Sequence, residues 1–184
     1  MSLPPFEHVV AEHGTRVLRV CRALLPLHDA EDAAADALLA ALEAYPRLRP
    51  DSDVKAWLVT VAHRKALDVL RRHARHAVPM AEVADTSGRV GARQGGTLVG
   101  GLEPPDEQLW AAVRALPDKQ RHAVVYHYVA DLPYADVAAL TGTSEAAARR
   151  SAADGIKALR RNYATRADPT RLEPDRSAHP EEKP

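Results

Sequence analysis

The chain has 184 residues, a formal net charge of zero and an isoelectric point of about 7.1, which excludes a protein held on DNA by overall positive charge alone. Its single cysteine, Cys21, excludes a disulfide framework and a cysteine-rich zinc site. Apolar residues make up 46% of the chain but aromatic residues only 4%, and alanine is abundant. Since alanine is the best helix former, the composition predicts an all-α protein.

Targeting signals and metal-site patterns are both lacking in the sequence. No apolar run is long enough to span a bilayer, and the first ten residues lack the basic start and apolar stretch of a signal peptide. We therefore expect a cytoplasmic protein without membrane insertion. The nine histidines form no pattern typical of a metal site, so we expect no metal, no cofactor and no enzymatic activity.

The first half of the chain has three helical patterns. Apolar residues recur at helical spacing over residues 6–25, a second helix is predicted over 30–44, and a polar residue at 51–53 is placed to cap a third helix that extends to about residue 76. The second helix carries only acidic charge, whereas the third helix and the loop before it are basic.

One face of the predicted second helix carries acidic residues around a leucine. This face holds Asp32, Asp36, Leu39 and Glu43. A solvated surface is one explanation. The other is that Leu39, exposed among carboxylates, anchors a basic surface of a partner protein.

The second half of the chain is separated from the first by residues 77–103, which hold six glycines and few large apolar residues. This composition predicts a flexible linker. Prolines among charged residues after 163 predict a disordered tail. Four helical patterns lie between the linker and the tail, at about 105–115, 118–130, 134–140 and 144–163. We therefore predict two small helical domains, residues 1–76 and 104–163, joined by the flexible linker 77–103 and followed by the tail 164–184.

The last two helical patterns have the features of a helix-turn-helix. Gly142 can take a left-handed backbone at no steric cost, and Ser144 can cap the following helix through its hydroxyl. A short helix, a glycine turn and a longer helix form the order found in DNA-reading pairs. At about 100° per residue, the last helix has an apolar face with Ala148, Ala152, Gly155, Ile156 and Leu159, and a basic face with Arg149, Arg150, Ala153, Lys157 and Arg160.

In a helix-turn-helix, the N-terminal part of the second helix enters the major groove of DNA. We therefore predict that Ser144, Ala146, Arg149 and Arg150 lie at the DNA, where each arginine can donate two hydrogen bonds to a guanine. Lys157 is predicted to lie nearer the phosphates. The alternative is a basic, solvated helix face in an ordinary bundle.

Two longer segments resemble a known family. Residues 29–72, with the motif AHRKALD, are similar to region 2 of sigma factors of the extracytoplasmic-function group. Residues 116–161, with the motifs LPDKQR and LPYADVA, resemble region 4 of the same group. The two segments occur in the family's order with a linker between them, and the resemblance extends over about residues 6–163.

The resemblance implies a protein that binds core RNA polymerase and directs promoter recognition and transcription initiation. It implies that the acidic helix, with Asp32, Asp36, Leu39 and Glu43, docks on the polymerase, and that the helix-turn-helix reads the minus-thirty-five element. It assigns the loop before the third helix, and that helix, to the minus-ten element. The candidates there are Arg49, Asp51, Ser52, Trp57, His63, Arg64 and Arg71.

Several alternatives stay open from the sequence. Trp57 fits a purely structural role in the core as well as a contact with a promoter base. The expected partners are core RNA polymerase and promoter DNA, and an anti-sigma factor is a further partner that the resemblance allows. The alternative function is a sigma-like DNA-binding transcription regulator that does not itself initiate transcription.

Overall fold

The computed structural model describes residues 3–76 and 107–167, and all regular structure in these ranges is helical, as predicted. We call α1–α3 the N-terminal bundle and α4–α7 the C-terminal bundle. A 3-10 turn, Tyr45–Arg47, follows α2, and a π-helical turn, Val125–Val129, continues α5. The helices are α1 (Phe6–Leu24), α2 (Leu27–Ala44), α3 (Val54–His76), α4 (Glu107–Arg114), α5 (Asp118–Val124), α6 (Tyr134–Thr141) and α7 (Glu145–Ala167).

Two parts of the predicted organisation fall wholly or largely outside the described ranges. The predicted linker, residues 77–103, lies outside them. Of the predicted tail, the structure describes only the backbone of residues 164–167, which continues α7. The predicted domain boundaries therefore stay predictions.

Prolines set the start of four helices, because proline fixes its own backbone and cannot donate a hydrogen bond inside a helix. Each stands immediately before the first helical residue, with an extended backbone: Pro5, Pro26, Pro117 and Pro133. The helix α2 consequently begins at Leu27, three residues before the predicted start. For α3, the cap is Asp53, whose carboxylate accepts a hydrogen bond from the amide of Ala56 at 2.9 Å.

The N-terminal bundle is packed around small side chains. The buried face of α2 consists of alanines at helical spacing, and both α1 and α3 pack on α2. Such a face permits close approach of the neighbouring helices. Leu42 is 49% exposed, because the buried face is centred on other residues. These are Ala30, Ala33, Ala34, Ala37 and Ala41.

In the C-terminal bundle, α7 packs on α4, α5 and α6. Its closest approach to α5 is at Gly155. A Cβ atom added there would lie 2.6 Å from Cγ2 of Val124 and 3.2 Å from the carbonyl oxygen of Gln120. From the sequence, this glycine only lowers the helix propensity of α7. The structure shows that it leaves room for a neighbouring helix.

The two bundles are in contact with each other. The helix α1 packs against α4 and the π-helical turn, and the buried apolar side chains of both bundles belong to one cluster. Arg22 of α1 is only 7% exposed and donates a hydrogen bond to Glu107 at 3.1 Å. Arg114 also donates to Glu107, and to the carbonyl oxygen of Arg22 at 3.1 Å.

A second polar contact joins α3 to the loop after the π-helical turn. The ammonium group of Lys55 donates to the carbonyl oxygen of Asp131 at 2.6 Å and to its carboxylate at 3.1 Å. Asp131 has a left-handed backbone with φ of 55°, a conformation that aspartate tolerates better than most residues. These two polar contacts join the bundles at separated places.

We predict that Gly155→Ala destabilises the protein, although alanine has the higher helix propensity by about 1 kcal/mol. The added methyl group has to displace Val124 or the α5 backbone, and overpacking of this kind costs about 1–3 kcal/mol. Urea unfolding followed by circular dichroism measures the difference. Ala153→Gly, on the exposed face of α7, calibrates propensity alone. A more stable Gly155→Ala protein would contradict the close approach of α7 to α5.

Candidate nucleic-acid interface

The helix-turn-helix has the backbone that the sequence predicts. Gly142 ends α6 with φ of 66° and ψ of 33°, which is the left-handed conformation. The hydroxyl of Ser144 accepts a hydrogen bond from the amide of Ala147 at 3.2 Å and so caps α7. These two features fix the direction in which α7 leaves the turn.

The two predicted faces of α7 are confirmed. On the apolar face, Ile156 is half-buried and the other predicted residues are buried. On the basic face all predicted residues are exposed, and so is Ala146. The N-terminal half of α7 therefore presents two adjacent arginines, on a capped helix, to the solvent.

The two arginines differ in how their side chains are held. Arg149 donates a hydrogen bond to the carboxylate of Glu145 at 2.6 Å, one turn earlier, and its guanidinium carbon lies 5.2 Å from the centre of the Tyr134 ring. Arg150 is exposed and has no ion pair or hydrogen bond within residues 3–76 and 107–162. Arg149 is thus pre-oriented, whereas Arg150 is free to move.

The loop before α3 holds three of the predicted minus-ten residues. Arg49 and Asp51 form a two-point ion pair with distances of 3.2 and 2.8 Å, and both are exposed. The amide of Ser52 donates to the carbonyl oxygen of Arg49 at 3.0 Å, which closes a turn. Trp57 is half-buried, with its ring centre 6.3 Å from that of Tyr45. Trp57 therefore packs in part and is exposed in part.

The predicted minus-ten residues of α3 do not share one environment. Arg64 is exposed, and Arg71 is exposed beside Asp68 at 3.2 Å. His63 is half-buried against the C-terminal bundle, where its Nδ1 is hydrogen-bonded to the hydroxyl of Tyr126 and its ring lies edge-on to that of His122, 5.5 Å away. The structure thus leaves the two arginines accessible and covers His63.

The surroundings of His63 and His122 favour the neutral form of both imidazoles. Burial lowers the pKa of His63 to about 4, and His122, Arg64 and Arg71 add to this effect. Burial also lowers the pKa of His122, with a smaller contribution from Arg121, while Asp118 acts in the opposite direction. A protonated imidazole here would be poorly solvated and repelled by its neighbours.

All four predicted polymerase-docking residues of α2 are exposed. They are Asp32, Asp36, Leu39 and Glu43. Leu39 is 57% exposed, and Leu42, which the sequence analysis did not include in this face, adds a second exposed leucine. Asp32 and Asp36 also line a groove between α2 and α3, opposite Arg72 and His73. The surface therefore combines acidic groups with apolar side chains.

Residues 3–76 and 107–167 meet none of the requirements of a metal site, a membrane span or a reactive cysteine. No cluster of three or more histidine, cysteine, aspartate or glutamate side chains within these ranges could hold a metal ion. No helix in them is long and apolar enough to cross a membrane. Cys21 is buried, and burial raises the pKa of its thiol to about 12, which disfavours the reactive thiolate.

Two features of the candidate interface could not be read from local sequence. Tyr134 contacts Arg149 across fifteen positions, and Tyr126 contacts His63 across sixty-three. Helical periodicity relates residues three or four positions apart, so it carries no signal for either contact.

Comparison with known proteins identifies both halves of the chain. The family model for Sigma-70 region 2 matches residues 9–76, and the family model for Sigma-70 region 4 matches residues 106–159. The chain is also similar to RNA polymerase sigma factor CarQ of Myxococcus xanthus, with 31% identity over 163 residues that cover 84% of this chain and 87% of CarQ.

Solved structures give a matching picture of the fold. The sigma factor RpoE of Bartonella quintana, solved in complex with the anti-sigma factor NepR, aligns with a TM-score of 0.67 and 18% identity over 88% of this chain and 98% of RpoE. CnrH, solved with the cytosolic domain of CnrY, aligns with a TM-score of 0.61 and 21% identity over 87% of this chain and 88% of CnrH.

We predict that acid weakens the contact between the bundles. The lowered pKa of His63 means that this contact has its full strength above the ordinary value of 6.5 and loses it as the pH falls toward about 4. Glu107 and Asp131 act in the same direction, because their basic partners lower the pKa of each carboxyl group. Protonation of these carboxylates weakens the contact only below their ordinary pKa values of 4.5 and 3.8.

Nuclear magnetic resonance of the His63 ring proton tests this directly. In the native chain it should titrate with a midpoint near 4, and in the chain unfolded by urea near 6.5. A native midpoint at the unfolded value would contradict the burial of His63 against Tyr126.

Proposed function

The chain belongs to the sigma-70 family of RNA polymerase sigma factors, within the extracytoplasmic-function group, and we propose from this how its surfaces divide the work of transcription initiation. As a sigma factor it associates with RNA polymerase and directs it to promoter DNA. We assign the N-terminal domain, residues 1–76, to polymerase docking and the minus-ten element. We assign the C-terminal domain, residues 104–163, to the minus-thirty-five element.

The helix α7 is the proposed reader of the minus-thirty-five element. The observation that carries this proposal is the exposed, capped N-terminal half of α7, on which Arg149 and Arg150 stand next to small side chains. Ala146 permits close approach to the bases, and arginine can donate two hydrogen bonds to a guanine. The Ser144 hydroxyl holds the helix end, and Lys157 contributes salt-dependent attraction to phosphate.

The loop before α3 and the exposed side of α3 are the proposed minus-ten surface. Arg64 and Arg71 are accessible for phosphate contacts, and the exposed part of Trp57 can stack on an unpaired base. Arg49, Asp51 and Ser52 form a turn next to this surface, and we propose that they bind promoter bases or backbone. Binding of DNA by Arg49 requires a rearrangement of its ion pair with Asp51.

The covered position of His63 has a consequence for this proposal. If His63 also contacts the promoter, then the C-terminal bundle has to move away from α3 first. The imidazole of His63 is hydrogen-bonded to Tyr126 and packed against His122. We therefore propose that the bundles separate when the promoter is engaged. Separation breaks the ion pairs of Glu107 and Asp131 with the N-terminal bundle. The side chains of these two acids are already 54% and 79% exposed to solvent.

The acidic face of α2 is the proposed docking surface for the polymerase. Asp32, Asp36 and Glu43 complement a basic partner surface, and Leu39 supplies an apolar anchor between them. We further propose that the chain acts in the cytoplasm, has no catalytic activity of its own and is held inactive by an anti-sigma factor. Support for the last point is that a similar sigma factor was solved in complex with one.

We predict that changes to the two proposed surfaces separate polymerase binding from promoter choice. Arg149→Ala with Arg150→Ala should lower transcription from the cognate promoter, relative to a promoter with a scrambled minus-thirty-five element, by about tenfold or more. Binding to core polymerase should be unaltered. Asp32→Lys with Asp36→Lys should weaken core binding by about tenfold or more, because charges that attracted the partner then repel it.

Matched controls carry charge changes of the same kind elsewhere. Arg19→Ala, and Glu7→Lys with Glu12→Lys, change exposed positions outside the proposed surfaces and should behave as the unaltered chain. Run-off transcription and fluorescence anisotropy give the two readouts. Unchanged promoter choice in the double arginine variant would remove α7 from the proposal. Tight promoter binding by the chain without polymerase would favour a regulator that does not initiate transcription.

A further inference from the structure

Three aromatic residues stand together at the start of the helix-turn-helix. The ring of Tyr134, the first residue of α6, is stacked on the ring of His127, with centres 3.8 Å apart and planes 23° apart. Tyr128 lies edge-on to His127, with ring centres 4.7 Å apart. Tyr128 is 55% exposed, so the cluster lies at the surface.

A hydrogen bond to the main chain holds this aromatic cluster in place. The Nδ1 of His127 donates to the carbonyl oxygen of Leu132 at 2.8 Å, which fixes the imidazole between two tyrosines. His127 and Tyr128 belong to the π-helical turn, in which one inserted residue shifts the side chains that follow. Tyr134 follows Pro133, which sets the start of α6. The position of the Tyr134 ring is therefore fixed from two sides.

Arg149 lies next to the ring of Tyr134. The guanidinium carbon of Arg149 lies 5.2 Å from the centre of the Tyr134 ring, and the side chain is also bonded to Glu145. A guanidinium over an aromatic ring leaves the N–H groups along its edge available for hydrogen bonds. In Arg149 one of these groups is bonded to Glu145, and the others remain for a base. This edge is what binds the two acceptors of a guanine.

We propose that Tyr134 is a positioning residue that orients Arg149 toward one base of the minus-thirty-five element and thereby sets the base preference at that position. The inference rests on the proposed function, in which Arg149 reads DNA. His127 and Tyr128 act through Tyr134 by holding its ring. Arg150, which contacts no aromatic ring in residues 107–162, reads its own base independently of this cluster.

The test measures base preference with the complete transcription complex. The full chain and purified core polymerase transcribe a pool of promoters randomised over the minus-thirty-five element, each with its own barcode downstream of the start site. Sequencing of the transcribed barcodes gives the preference at each position. Preference is a ratio between promoters in one reaction. A smaller amount of folded protein therefore lowers transcription from all promoters by the same factor and leaves the ratio unaltered.

Arg149→Ala and Arg150→Ala, made separately, first identify the base position that each arginine reads. Tyr134→Leu keeps apolar volume but removes the aromatic face, and Tyr134→Phe keeps that face. We expect Tyr134→Leu to lower the preference at the Arg149 position by about two- to fivefold and to leave the Arg150 position unaltered. We expect Tyr134→Phe to retain the original preference at both positions.

The outcomes distinguish this inference from the function on which it rests. If Arg149→Ala alters the preference at one position and Tyr134→Leu does not, the positioning role is wrong and the reading role of α7 stands. If Tyr134→Leu lowers the base preference equally at all positions, Tyr134 has only a structural role and the inference is wrong. If Arg149→Ala alters no position, the proposed reading by Arg149 fails together with the inference.

Discussion

Glu107 accepts hydrogen bonds from Arg22 of α1 and from Arg114 of its own bundle, and this shared carboxylate connects the two halves of the protein. Arg114 also binds the carbonyl oxygen of Arg22, so that the end of α1 is bound by the C-terminal bundle. The same interface includes the packing of α1 on α4 and on the π-helical turn, and the cover that Tyr126 gives to His63. A sigma factor built in this way has one of its predicted minus-ten residues, His63, turned toward its other half.

The composition of the chain explains why these contacts matter. With few aromatic side chains and an alanine face on α2, each helix pair buries little area per residue. Helices compensate by approaching closely, and Gly155 lets α7 approach α5 in the same way. Some of the few aromatic side chains lie at the places discussed above: Tyr126 between the bundles, and Tyr128 and Tyr134 with His127 beside Arg149.

Local pattern was sufficient to predict the helices, the glycine turn, the Ser144 cap and both faces of α7, because each depends on residues within one or two turns of each other. Helical periodicity does not indicate that Leu42 is exposed, since the direction of the buried α2 face is set by how α1 and α3 pack on it. The cover of His63 and the contact of Tyr134 with Arg149 join residues far apart in the chain. They depend on the packing of complete helices, and no single segment contains that information.

The central claim is that one chain holds its two bundles together when free and separates them on a promoter. Spin labels on cysteines substituted for Arg19 of α1 and Lys119 of α5, both exposed, measure the separation by pulsed electron paramagnetic resonance; Cys21 is buried and does not compete for the label. We expect a longer distance in the complex with polymerase and promoter than in the free chain, because the two bundles then contact separate promoter elements. The same distance in both states would contradict it.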